Sequence, residues 1–198
     1  MDLKNKNNLL IFPTFIKKCD NFLNKKECRD FIKELKKIPS KNHGALTLDK
    51  STSSHSDVSN IHIKLGNEFN NRLSSIIDEY AEEYGYEKLI ISNSWHNIQY
   101  KNSVLSTHCH PNSIISGVLY LKVDNLSSKL FFYNPNPHVQ FSNYIKENIC
   151  NFKSTIFEVE NGCLIMFPSW LQHGSGHQEN KSNERICLSF NTKLKYPI

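Results

Sequence analysis

No apolar stretch approaching 18 residues occurs in this 198-residue chain, so the sequence offers no candidate for a membrane-spanning helix. An apolar signal-peptide core is missing from its start as well. With nothing pointing to export, the expected compartment is the cytoplasm. The six cysteines (Cys19, Cys28, Cys109, Cys150, Cys163 and Cys187) lack the close pairs of a zinc ribbon, and in that compartment they read as reduced thiols. A basic block with interleaved aromatics is also wanting. The net charge of +5 comes from lysines spread in ones and twos, such as Lys4, Lys6, Lys17, Lys18, Lys25 and Lys26. That pattern reads as a solvated surface and gives no support to nucleic-acid binding.

What is present is core material. The apolar fraction is a modest 38%, but 12 Phe, 8 Tyr and 2 Trp supply bulk, and the length suits one domain. No internal repeat or linker divides the chain. The expected organisation is a single domain over 1–198, with an N-terminal strand and supporting helices in 1–88 and a β core in 89–198.

Leu9-Leu10-Ile11-Phe12, closed by Pro13, suggests a first strand. Asn24 with Glu27 three residues on marks a helix start, and Cys28, Phe31, Ile32 and Leu35 then recur at helical spacing. Residues 39–60 read as a loop region with one short strand near Ala45-Leu46-Thr47-Leu48. A second helix is expected from about Lys64 to Tyr84, with Leu65, Phe69, Leu73, Ile76, Ile77 and Tyr80 on one face and Gly85 as its stop. From residue 89 onward the pattern becomes short apolar or alternating runs, at 89–93, 95–100, 116–123, 129–133, 155–159, 163–167 and 185–191. Strands at such spacing imply an antiparallel sandwich or barrel. The fold class is therefore α+β and mainly β, a jelly roll with the N-terminal helices packed outside.

Chemistry concentrates late in the chain. In Thr107-His108-Cys109-His110, an extended backbone would send both histidines to one face, where two imidazoles can share a metal ion. His173 follows the run at 163–167 and a short turn, among Gly174 and Gly176, which suits a residue at a barrel mouth. His177 competes for that role, and His138, in a Pro-rich loop, is a more distant candidate. Arg185 opens the final strand twelve residues after His173. Arg185, Cys187, Ser189 and Asn191 share one face; Ile186, Leu188 and Phe190 share the other. Facing inward, Arg185 is an anchor that grips a carboxylate with two parallel hydrogen bonds. Facing water, it is a surface arginine.

These pieces resemble the 2-oxoglutarate and Fe(II)-dependent oxygenases, whose layout is His-x-acid, a distal His, and Arg about a dozen residues on. The closest resemblance is to a phage and bacterial subfamily written W-x-N, H-x-H-P-N-S, S-G-V-x-Y-L, F-P-S-W-L-x-H and R-x-S-x-S-F-N. Here those motifs are Trp95-His96-Asn97, His108 to Ser113, Ser116 to Leu121, Phe167 to His173, and Arg185 to Asn191. The resemblance spans about residues 90–192. It implies a double-stranded β-helix (jelly-roll, cupin-like) barrel, Fe(II) and 2-oxoglutarate as cofactors, and hydroxylation of a substrate C–H bond. It also implies His108, His110 and His173 at the metal, with Arg185, Ser189, Asn97 and Tyr120 at the cosubstrate. Trp95 and Trp170 are expected in the core or at the rim.

Two departures from the family pattern stand out. His110 occupies the position of the usual carboxylate. Either three neutral imidazoles hold the metal, or one of the pair stands outside the ligand set and leaves a position to water or a halide. Loss of the negative charge should weaken Fe(II) binding and alter its redox behaviour. Cys187 stands where the subfamily often has serine, which shifts hydrogen bonding towards Ser189. The other readings are a three-His cupin dioxygenase or isomerase without 2-oxoglutarate, and a non-catalytic jelly-roll binding module. Substrate class (small molecule, protein or nucleotide) and oligomeric state stay open.

Overall fold

In chain order the elements are β1 (Lys17–Cys19), α1 (Lys25–Leu35), β2 (Ser51–Ser53), α2 (Asn67–Glu83), β3 (Leu89–Tyr100), β4 (Ile115–Lys122), β5 (Leu130–Tyr133), β6 (Ser154–Phe157), β7 (Leu164–Pro168), β8 (His173–Gly174) and β9 (Glu184–Leu194). Short 3-10 turns lie at Ile61–Leu65 and Pro137–Gln140. The structure is a computed structural model and describes residues 11–46, 50–55, 58–141, 143–148 and 150–195. Among them, no helix is long and apolar enough to cross a membrane.

The strands form a six-stranded sheet, β1-β7-β4-β9-β3-β2, and a three-stranded sheet, β6-β5-β8. Every pairing is antiparallel. This is the expected double-stranded β-helix, with one correction. The two sheets are not joined into a closed barrel. The physical reason lies in the small sheet, where β8 has two residues and offers too little ladder to bridge the gap.

Alternation along the strands sorts side chains to two faces. On the outer face, Ile98, Ile115, Leu119, Leu121, Leu164, Met166, Ile186, Leu188 and Phe190 join Leu35, Phe69, Leu73, Ile77 and Tyr80 from the helices in one apolar cluster. On the inner face, Val118, Tyr120, Ile165, Phe167 and Cys187 meet Leu130 and Phe132 of the small sheet. Gly117 turns towards the helix side, where an added Cβ would overlap the Phe190 ring. Only hydrogen fits there.

The first helix begins as the sequence demands. Asn24 Oδ1 accepts from Lys26 N (2.9 Å) and Glu27 N (3.0 Å), while Glu27 Oε2 accepts from Asn24 N (2.8 Å). This capping box satisfies orphan amides at the helix start and contributes about 1 kcal/mol. Glu27 also pairs with Arg72 of α2 at 2.7 Å, tying the helices together.

Several boundaries differ from expectation. Ile11 and Phe12 are not in a strand; Phe12 has φ 58, a left-handed value that interrupts strand pairing, and the first strand is β1. Leu9 and Leu10 lie outside the described residues. Of the run 45–48, Leu46 makes a single bridge to Leu105, Thr47 and Leu48 lie outside the described residues, and the strand in this region is β2. The second helix starts at Asn67, because Gly66 at φ 93 separates it from the 3-10 turn. Gly85 follows its C-cap at φ 74, as anticipated. The two runs at 89–93 and 95–100 are one strand, β3, which absorbs a bulge between Ile91 and Asn93.

Candidate metal centre and cofactor pocket

His108, His110 and His173 come from two segments that hydrogen bonding sews together. His108 N–H donates to the His173 carbonyl, and His173 N–H donates back to the His108 carbonyl, both at 2.9 Å. Outside this single bridge, residues 106–110 are not strand. The two imidazoles still turn to one side: ring centroids stand 5.0 Å apart for His108–His110, 4.4 Å for His108–His173 and 5.0 Å for His110–His173. One ligand nitrogen from each lies within 4.8 Å of the others. Among the described residues this is the only such group of three or more potential ligands. His177 is exposed with φ 62, and His138 packs on Phe141 at 4.9 Å, so neither joins it.

The rings are prepared as ligands. His108 Nδ1 is 2.8 Å from the Ser106 carbonyl and His173 Nδ1 is 2.9 Å from the Leu171 carbonyl. A carbonyl can only accept, so each Nδ1 carries the proton and each Nε2 keeps its lone pair. Burial, aided by the neighbouring His108 and His110, pushes the His173 pKa down to about 3. Burial also takes His110 down to about 4, aided by His108 and His55, and lowers His108. All three are neutral at physiological pH, the protonation state a metal requires. The donor set thus fits a divalent cation, though it brings no negative charge.

A cavity of about 240 Å³ runs from this cluster into the space between the sheets. Asn97, Tyr120, Arg185 and Ser189 line it along with the three histidines, so all seven expected site residues share one space. Arg185 is 4% exposed and therefore faces inward. Its Nε donates to the Ser128 carbonyl at 3.1 Å, its Nη1 donates to Gln99 Oε1, and its guanidinium carbon lies 5.0 Å from the Tyr120 ring centre. Two of its five N–H donors are thus engaged, and no carboxylate pairs with it among the described residues. Beside it the Tyr120 hydroxyl is fully buried and finds no hydrogen-bond acceptor among the described residues. Burial raises the pKa of that phenol well above its ordinary value, partly opposed by Arg185, so it stays a donor.

Two further residues deepen the picture. The Asn97 amide, turned as its neighbours require, donates to Ser53 Oγ at 2.7 Å and accepts from Trp95 Nε1 at 3.3 Å. Gln99, which the sequence reading passed over, holds Arg185; its position two residues beyond Asn97 on the same strand face was the available signal. His43 and His55 also reach the cavity from the loop region, where no spacing pattern marked them. Trp95 is 6% exposed, edge-on to His55 and 5.8 Å from His110, whereas Trp170 is 51% exposed.

This combination of a double-stranded β-helix, converging imidazoles and a buried cation is the architecture of a metal-dependent oxygenase of the cupin type. The family model described as "Putative 2OG-Fe(II) oxygenase" matches residues 93–191, half of the chain. The chain belongs to the 2-oxoglutarate and Fe(II)-dependent oxygenase family, and so to a family of enzymes. No curated protein matches it in sequence. Solved structures share its fold. HygX from Streptomyces hygroscopicus, with nickel and 2-oxoglutarate bound, superposes with a TM-score of 0.62 at 12% identity, covering 92% of this chain and 84% of that one. The viral collagen prolyl hydroxylase of Paramecium Bursaria Chlorella virus-1, a 2OG complex, gives 0.57 at 14% identity, with 89% and 94% covered. A Pseudomonas putida prolyl-4-hydroxylase gives 0.57 at 12%, with 91% and 93% covered.

Proposed function

We propose that this protein is a single-domain Fe(II)- and 2-oxoglutarate-dependent oxygenase that hydroxylates a substrate presented at the cavity mouth. In this reading His108, His110 and His173 bind the metal, and Arg185, Tyr120 and Ser189 hold the cosubstrate. Its affiliation is with the phage and bacterial subfamily whose five motifs the sequence carries. The observation that carries the reading is the pairing of two buried, underused donors in the cavity that the imidazoles also line. Among the described residues, Arg185 is a desolvated cation facing no carboxylate and the Tyr120 hydroxyl faces no acceptor. Leaving such groups unmatched costs several kcal/mol in total, and a dicarboxylate reaching inward from the metal relieves both.

The residues divide the labour. His108 and His173, with protons fixed on Nδ1, offer Nε2 without first losing a proton. Arg185 and Tyr120 grip the far carboxylate of the cosubstrate, with Gln99 and the Ser128 carbonyl keeping the guanidinium in plane. Asn97 contributes less than the sequence suggested, because its amide is occupied by Ser53 and Trp95. Leu105, Val118, Leu130 and Phe167 line the same space and keep it dry. When bound, the iron and 2-oxoglutarate together supply the oxygen activation and hydrogen abstraction that side chains cannot.

A second reading rests on His110. With a third imidazole in place of the carboxylate, the site also suits a three-His dioxygenase that uses no 2-oxoglutarate. Anaerobic addition of Fe(II) and then 2-oxoglutarate to the metal-free protein separates the two. The proposal expects a visible metal-to-ligand charge-transfer band that disappears in His108→Ala and His173→Ala. Iron binding without a band favours the three-His reading, and no iron binding overturns both.

A further inference from the structure

Three polar side chains from three separate motifs, Ser116, Ser169 and Asn191, meet in the interior at 1%, 0% and 6% exposure. Ser116 Oγ donates to Asn191 Oδ1 at 2.7 Å. Ser169 Oγ lies 2.7 Å from Ser116 Oγ. A serine has one hydroxyl proton, so Ser169 must be the donor in that second bond. The result is a directed chain, Ser169 to Ser116 to Asn191, running from the turn after β7 across β4 to β9.

The backbone of Ser169 explains why this matters. Its carbonyl accepts from His110 N–H at 2.9 Å, and its own N–H donates to the Ile114 carbonyl at 2.9 Å. Ser169 therefore clasps both ends of segment 110–114, which turns through Asn112 at φ 62. His108 and His173 have independent supports: mutual backbone bonds and a ring-to-carbonyl bond each. The His110 ring makes no hydrogen bond to any described residue. Besides ring packing on Trp95, His108 and His173, its location depends on the clasp. Thr192 also holds Ile114 N–H at 3.0 Å, and the buried chain fixes the Ser169 side chain from which the clasp extends.

We infer that Ser116, Ser169 and Asn191 form the positioning element for His110, setting where the third imidazole stands in the metal site. This inference rests on the reading of the three histidines as metal ligands. Buried hydrogen-bond chains hold a unique geometry when every member is satisfied, and outer-shell partners of metal ligands typically change metal affinity 10- to 100-fold when lost. The three are positioning residues, since none of them is a ligand.

The test uses Co(II) alone as probe, reading both its dissociation constant and its visible absorption, with thermal unfolding of the metal-free protein alongside. Ser116→Ala and Ser169→Ala are expected to weaken Co(II) binding roughly 10- to 100-fold and to alter the absorption spectrum. Leu188→Val, in the helix-side cluster, is expected to lower the unfolding temperature while leaving affinity and spectrum unchanged. Should Ser116→Ala fail to fold, Ser169→Ala removes only the terminal donor and carries the test. Serine variants that bind Co(II) as wild type does, with the same spectrum, overturn the inference and leave the metal reading intact. Wild type that binds no Co(II) overturns the metal reading itself.

Discussion

β9 presents two faces that obey different rules. Towards the helices, Ile186, Leu188 and Phe190 are at most 1% exposed and pack against other apolar side chains. Towards the small sheet, Arg185, Cys187 and Ser189 line a cavity, and Arg185 and its neighbour Tyr120 keep polar atoms that the protein does not fully match. The first face contributes stability through burial. The second forgoes some of it, and unmet hydrogen-bonding capacity around a cavity is what a bound ligand can satisfy. Structure and site thus share one strand, separated only by the alternation of its side chains.

The sharpest way to break this contrast is Phe190→Ala. It should cost about 3–5 kcal/mol of stability, read from denaturant midpoints, while leaving the Fe(II) dissociation constant unchanged. A large loss of metal affinity would show that the two faces are coupled. Arg185→Met is the converse. It should weaken 2-oxoglutarate binding by about 3 kcal/mol, roughly 100-fold, in calorimetric titration of the metal-loaded protein, with metal binding retained and stability little altered.

Acid should act on buried imidazoles of both faces, since burial also pushes the helix-side His96 down to about 4. The His173 pKa falls from an ordinary 6.5 to about 3 on folding, and that of His110 to about 4. Between those values and 6.5 the unfolded chain binds protons that the folded chain refuses. The stability of the metal-free protein should therefore be full above about pH 6.5 and decline as pH falls towards 3. Unfolding midpoints across that range test the sign; a flat profile would mean the imidazoles are less buried than described. The smallest effect is expected from Tyr120→Phe. It should weaken 2-oxoglutarate binding by about 1 kcal/mol and leave the metal-free protein as stable or slightly more so, because the lost hydroxyl has no acceptor among the described residues.

Legibility in the sequence followed the range of the interactions involved. The α1 start was readable because Asn24 and Glu27 satisfy each other across three residues. The opposed faces of β9 were readable because strand alternation is a local rule. Asn93 and Ser94 look like a separator between two runs in the sequence, whereas pairing with Asn191 and Phe190 of β9 carries one strand straight through them. The expected helix start near Lys64 failed for a local reason, Gly66 in a conformation that favours glycine. At the site, His108 and His110 were recognisable as a pair, but the strand geometry invoked for them does not hold. Their rings converge because His108 is bridged to His173, a contact between segments far apart in the chain.

By itself the sequence determined which face of the last strand is apolar, where the first helix begins, and which motifs carry imidazole and guanidinium. Those are properties of residue type and short spacing, and they were enough to reach the family. Only the tertiary structure decided that Arg185 points inward, that Gln99 holds it, that the Tyr120 hydroxyl is left without an acceptor among the described residues, and that Ser169 clasps the turn beyond His110. Each of these depends on segments dozens of residues apart meeting in the interior between two sheets, where an unmatched polar group is costly enough to be informative.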